Sequence, residues 1–167
     1  ETIDADTIVL ALGHSARDTF EMLHQLNIPI EAKSFSIGVR IEHPQSIIDK
    51  AQFGRFASNP ILGPADYKLV QHCPNGRSAY SFCMCPGGQV IASSSEPGQI
   101  VTNGMSFFSR NRPNANSALL VGVNPNDFQD SSPLAGVKFQ RKWERKAYEA
   151  GGESYFAPAQ LLGDLLA

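Results

Sequence analysis

Asn75-Gly76, set between two strand-forming runs at 67–73 and 78–85, is the feature that most constrains what this chain can fold into. Asn-Gly is a strong short-range hairpin signal, because both central residues of a type I′ turn need positive φ. Such a turn predicts that Pro74 faces Arg77 and Cys73 faces Ser78, with pairing continuing outward one residue at a time. Side chains then sort by parity. Tyr67, Leu69, Gln71 and Cys73 share a mostly apolar face with Ser78, Tyr80, Phe82 and Met84, which reads as core. Lys68, Val70 and His72 share the mixed opposite face with Ala79, Ser81, Cys83 and Cys85.

More strands surround this hairpin. Residues 35–42 alternate like a half-buried antiparallel strand, and Pro44 opens a short helix to about Gln52. Residues 89–94 and 99–103 form a second hairpin around Glu96-Pro97-Gly98-Gln99, where Pro then Gly fits a type II turn. A polar loop at 109–116 leads to a further apolar strand, 118–123. The fourteen glycines and eleven prolines are spread along the chain, which favours many short elements over a helix bundle.

The last third reads as helical. Ser132 caps, Pro133 occupies the first turn, and Phe139, Trp143, Ala147 and Ala150 form an apolar stripe that Gly151 ends. Lys138, Arg141, Lys142, Arg145 and Lys146 sit on the same helix, and with no aromatic residue interleaved they read as a solvated face rather than a phosphate site. A further helix is expected over 158–166.

The opening differs in kind. Residues 7–12 are an unbroken apolar run suited to a strand buried on both faces. Gly13 breaks it, Ser15 and Asp18 resemble a capping box, and a helix follows to about Leu26, stopped by Asn27. This reads as one strand-turn-helix unit cut from an open α/β sheet, with the chain beginning and stopping in mid-structure. The fold class expected is therefore α+β: an antiparallel sheet domain of about six strands with flanking helices, preceded by that unit.

Composition removes several functions. A formal charge of -2 gives no global attraction to nucleic acid or anionic lipid. No apolar run approaches the ~18 residues of a membrane-spanning helix. Three cysteines, an odd number, and the absence of an Asn-x-Ser/Thr sequon favour a reduced, cytoplasmic setting. No two glycines stand two apart, so the chain cannot carry a G-x-G-x-x-G fingerprint and is not an independent dinucleotide-binding domain.

Several local sites remain. The strand-to-helix turn at Leu12, Gly13 and His14 is where open α/β sheets bind ligands, and helix amides there suit phosphate, although His14 also suits a plain backbone contact. Cys83 and Cys85 fall on one face of a strand, and structural or cofactor-packing, redox and metal roles all stay open. The C-x-C spacing lacks the four-ligand pattern of a zinc site. Gly87-Gly88 suits close approach of a flat ligand to backbone, or an ordinary turn. Donors concentrate at Thr102-Asn103-Gly104-Met105-Ser106, Arg110-Asn111 and Asn114-Ala115-Asn116-Ser117, where they suit a carboxylate or carbonyl substrate. Ser15 lies in no G-x-S-x-G elbow, and no hydrolase triad emerges.

Together, Leu10-Ala11-Leu12-Gly13-His14-Ser15-Ala16-Arg17-Asp18-Thr19, Phe35-Ser36-Ile37-Gly38-Val39-Arg40-Ile41-Glu42-His43-Pro44, Ser81-Phe82-Cys83-Met84-Cys85-Pro86-Gly87-Gly88 and Thr102-Asn103-Gly104-Met105-Ser106, followed by Asn114-Ala115-Asn116-Ser117, resemble a family of bacterial and plastid FAD-dependent dehydrogenases. The resemblance covers essentially the whole chain and implies a two-domain flavoprotein whose FAD domain is interrupted by an antiparallel substrate domain. Residues 1–32 would be a piece of the FAD domain, 33–151 the substrate or cap domain over the flavin, and 152–167 a helical return segment. In that setting Leu12, Gly13 and His14 approach FAD, Cys83, Cys85, Gly87 and Gly88 form the flavin-facing edge, and Arg110 and Asn116 make polar substrate contacts. No catalytic residue or metal ligand is assigned. The expected cofactor is FAD in the intact protein, with NAD(P) as an optional electron partner, and this piece alone is expected neither to retain FAD nor to act. Its expected partners are a small-molecule substrate and the remainder of the FAD domain, with no nucleic acid or membrane. The competing reading is a non-catalytic module whose sheet binds a ligand or a protein.

Overall fold

The computed structural model describes residues 2–57 and 59–167. Its elements run α1 (Arg17–Gln25), β1 (Phe35–Pro44), α2 (Gln45–Phe53), β2 (Val70–His72), β3 (Ser78–Cys85), β4 (Gly88–Ser93), β5 (Val101–Ser106), β6 (Asn114–Val123), α3 (Ala135–Ala150) and α4 (Leu162–Leu166). Every ladder among the described residues is antiparallel. The class is α+β, as expected. The strands divide into a four-stranded sheet ordered β1-β6-β3-β2 and a separate β4-β5 hairpin.

β1 and β6 form the spine of the larger sheet, paired from Phe35↔Val123 to Pro44↔Asn114. β6 starts at Asn114, ahead of the expected 118, so Asn116 belongs to the ladder and not to the loop. Asparagine usually favours turns because its amide bonds nearby backbone. Here Asn114 Nδ2 instead donates across the ladder to Glu42 Oε1 at 2.8 Å.

The central hairpin forms one residue out of the expected register. His72 faces Ser78 and Val70 faces Tyr80, so Cys73 lies opposite Arg77, whose carbonyl accepts the Cys73 amide at 2.7 Å. Three residues close the loop instead of two. A type I′ turn would place Asn75 at positive φ, but only Gly76 adopts it, at 80°. Pro74 decides the outcome: its fixed φ suits the first central position of a type I turn, and Gly76 then takes the left-handed position of the bulge. Asn75 Oδ1 caps the loop by accepting the Arg77 amide at 3.1 Å. A one-residue slip reverses facing. Val70 and His72 therefore share a face with Ser78, Tyr80 and Phe82, while Leu69, Gln71 and Cys73 share the other with Ala79 and Ser81.

The apolar run 7–12 pairs with no strand among the described residues, and Ile8, Val9, Leu10 and Leu12 are exposed. A parallel strand is stabilised only by neighbouring strands, and none lies beside it. The expected capping box at Ser15 is also not formed. α1 starts from Ala16 without a side-chain cap, and the Ser15 hydroxyl lies 3.3 Å from His14 Nε2 and 3.4 Å from Ser95 Oγ. The stop at Asn27 is as expected: its φ is 57°, and the Asn27 and Ile28 amides donate to His24 and Leu23 carbonyls at 3.0 Å each. That is a Schellman closure.

α3 covers one end of the larger sheet. Phe35 stacks on Phe128 at 5.4 Å, Phe139 tilts against Phe128 at 5.5 Å, and Trp143 extends the row from Phe139 at 6.1 Å. Phe35, Phe128 and Phe139 close over Val123 and Ala135 to form the apolar core, while Trp143 stays exposed, each aromatic pair adding about 0.5–1.5 kcal/mol beyond area burial. The basic face of α3 is solvated, as expected, with Lys138, Lys142, Arg145 and Lys146 exposed. Lys142 and Lys146 lie over the Trp143 ring, Arg141 pairs with Glu21 and Glu96, and Lys138 pairs with Asp130. At the carboxyl end the helix is confined to Leu162–Leu166, and its leucines are exposed. Among the described residues no helix is long and apolar enough to cross a membrane.

Candidate functional site

A bulge in β3 shapes a buried polar cluster at Cys85, Asn116 and Ser117. Phe82 faces Ala118 and Cys85 faces Asn116, so β3 carries one residue more than β6 between these pairs. Cys83 takes the irregularity at φ 50°. A β-branched or large residue would resist that conformation, and the strain persists because the ladders on both sides fix the backbone. The two thiols do not share a face as alternation predicted: Cys83 is exposed and Cys85 is buried.

The bulge turns the Cys83 carbonyl toward Arg40 of β1. Arg40 Nη2 donates to it at 2.8 Å, and Nε donates to Asn116 Oδ1 at 3.0 Å. Asn116 is fully buried, and its Nδ2 has no hydrogen-bond partner among the described residues. Gly104 of β5 lies over this pair so closely that a Cβ would overlap Asn116 Oδ1 and stand 2.5 Å from Arg40 Cζ. Arg40, Ala118 and Phe82 are direct cross-strand partners and so share one face of the sheet. Phe82 is exposed. The result is an open apolar ring bordered by a guanidinium and a buried amide donor.

Gln45 anchors the adjacent turn. Its Oε1 accepts the Gly87 amide at 2.8 Å, while its Nε2 donates to the Ala65 carbonyl at 2.9 Å and to Asp49 Oδ1 at 2.7 Å. Ser106 Oγ donates to the Pro86 carbonyl at 2.8 Å, and the Arg112 amide reaches the Gly87 carbonyl at 3.2 Å. On the side where a Cβ would project, Gly87 meets the Arg110 carbonyl and Gly88 meets the Met105 carbonyl. Those glycines let strand and loop backbones pack together here. Arg110 has φ 48°, its backbone against Gly87 and its side chain exposed.

Burial raises the Cys85 thiol above its ordinary value, with Arg40 pulling it partly back. Cys85 is therefore a protonated, packed thiol at neutral pH, a poor nucleophile. Tyr67 is likewise raised by burial, offset by Ser117 and Arg40, and its hydroxyl lies 2.8 Å from His43 Nε2. Among the described residues no three His, Cys, Asp or Glu side chains gather to hold a metal ion.

The expected site residues thus fall into two groups. Cys83, Cys85, Gly87, Gly88, Asn116 and the Arg110 backbone come together. Leu12, Gly13 and His14 do not join them; the adjoining Ser15 lies 3.4 Å from Ser95, past the far end of β4. Beside that second group Arg17 is buried among Glu96, Glu144, Gln99 and Gln140. Sequence reasoning missed Arg40, Gln45 and Gly104. Arg40 occupies the polar phase of β1, which alone signals a solvent-facing residue, and Gln45 carries no local signal beyond its place after Pro44.

Residues 34–167 match the family model described as FAD-dependent protein, C-terminal domain-like. A relative from Clostridium beijerinckii, named as an uncharacterized protein, is 52% identical over 167 residues, covering 99% of this chain. The chain spans 31% of that relative's length.

Proposed function

The chain belongs to the FAD-dependent protein, C-terminal domain-like family, and from there we propose that it is chiefly the substrate or cap domain of a flavoprotein oxidoreductase. In this reading residues 33–151 cover the flavin, 1–32 are a piece of the FAD domain and 152–167 return toward it. The observation that carries it is the row Arg40, Ala118 and Phe82 with the unpartnered Asn116 amide at its edge. A flat heteroaromatic ring fits such a surface, with apolar contact from Phe82 and the Arg40 guanidinium at its border left to the substrate. The residues present therefore fit the cofactor.

Bound FAD would supply hydride transfer between a small-molecule substrate, or a nicotinamide, and its own ring. The chain's residues orient the reactants and exclude water. Phe82 offers an apolar surface, Cys85 packs behind the bulge as a neutral thiol, and Gln45 holds the Gly87-Gly88 turn in place. Leu12, Gly13 and His14 are assigned to contact with the cofactor or its domain, and the exposed run at 7–12 to pairing within that domain's sheet. Arg110 and Asn116 are assigned to substrate.

The test is spectroscopic. The intact protein is expected to purify yellow and to bleach with reductant, while the 167-residue piece purifies colourless. An intact protein that is colourless and cannot be reconstituted with FAD overturns the reading.

A further inference from the structure

Among the described residues, Arg40 differs from the other partly buried arginines in having no carboxylate partner. Arg17 pairs with Glu96 and Glu144, and Arg141 with Glu21 and Glu96. Among the described residues no Asp or Glu oxygen lies within 4.0 Å of Arg40. Its acceptors are neutral: the Asn116 amide oxygen, the Cys83 carbonyl and, at 4.0 Å, the sulfur of the protonated Cys85 thiol. These occupy Nε and Nη2, and among the described residues Nη1 has no partner and is not buried. A half-buried cation without a counter-charge is unfavourable, and an unpartnered buried amide costs about 1–3 kcal/mol. Both deficits meet here.

Resting on the flavoprotein reading of this site, we infer that Arg40 and Asn116 recognise the carboxylate of the substrate, which defines the substrate class as a monocarboxylate on an apolar body. Arg40 supplies the contact. Asn116 positions it by holding Nε from beneath. The arrangement suits a monoanion, since the cross-strand neighbours Ala118 and Phe82 bring no second cation. Phe82, exposed on the same face, receives the apolar body. Charge-assisted bonding to guanidinium distinguishes a carboxylate from its neutral amide.

The experiment uses the intact protein loaded with FAD, titrated with benzoate, benzamide and inorganic phosphate, read by the flavin spectrum and by thermal shift. Benzoate is expected to bind saturably and at least about tenfold more tightly than benzamide or phosphate. Arg40→Gln is expected to weaken benzoate by about tenfold or more without changing benzamide, and Arg40→Lys to restore part of the loss. Equal binding of benzoate and benzamide, no benzoate binding, tighter phosphate, or unchanged benzoate binding in Arg40→Gln overturns the inference. Loss of FAD from Arg40→Gln but not from Arg40→Lys also overturns it, because Arg40 then serves the cofactor. If wild-type protein holds no FAD, the flavoprotein reading fails instead, and thermal shift with benzoate still decides the carboxylate assignment.

Discussion

Arg17 Nη2 lies 2.6 Å from Glu144 Oε1, joining α1 to α3 across 127 positions of sequence. Nη1 of the same guanidinium reaches Glu96 Oε2 at 2.8 Å on the turn between β4 and β5. One arginine, 4% exposed, therefore fastens three elements. The fork geometry of guanidinium makes this possible where a lysine point charge would not. Replacing Arg17 with Ala leaves Glu144 without this cation and Glu96 held by Arg141 alone. The expected loss is roughly 3 kcal/mol, read by urea denaturation of the intact protein, with Arg17→Lys retaining part of it.

Stability should also fall in acid through Glu96. Hydrogen bonding from Arg141, opposed by desolvation and aided by Arg17, holds its carboxyl at about 2 instead of the ordinary 4.5. The folded state then binds fewer protons than the unfolded one between these values. The contribution is present in full above pH 4.5 and is lost as pH falls toward 2. With the carboxyl 24% exposed, screening reduces it to about 1–2 kcal/mol. Denaturation of Glu96→Gln followed from pH 6 to pH 2.5, roughly that interval, should show a flatter acid limb than wild type; an equal slope assigns the acid sensitivity elsewhere.

Gly104→Ala should be far more damaging than its strand position suggests. The added methyl overlaps Asn116 Oδ1 and crowds Arg40, which forces the pair apart at about 1–3 kcal/mol. Gly122→Ala is the control, since a Cβ there meets nothing within 4 Å. Thermal unfolding should separate the two variants, and comparable values would mean that β5 yields without strain.

Gln45→Ala removes the acceptor of the Gly87 amide and the donor to the Ala65 carbonyl. Burial of these backbone groups without partners costs about 1–3 kcal/mol. Hydrogen exchange should show the Gly87 amide opening faster in the variant while the β1 amides stay protected. Uniform acceleration would indicate global destabilisation instead.

Much of the strand pattern was legible because alternation and turn chemistry are local. The Asn27 helix stop, the Pro97-Gly98 turn and the stripe of α3 all follow from residues within a few positions of each other. The errors arose where two local signals competed or where a partner was distant. Pro74 outvoted Asn75-Gly76 and shifted the hairpin by one residue. The bulge at Cys83 has no mark in the sequence, yet it separates the two thiols and turns a carbonyl toward Arg40. Arg40 itself was invisible, because only the pairing of β1 with β6 reveals that Asn116 stands beside it. The buried role of Arg17 depends likewise on residues more than 75 positions away.

The central claim, that residues 33–151 cover the flavin, is tested most directly by hydrogen exchange on the intact protein with and without FAD. The account predicts slowed exchange on FAD binding at 83–88 and in β5 (Val101–Ser106), with no change in the carboxyl half of α3. Protection confined to parts of the protein outside residues 33–151 would contradict it.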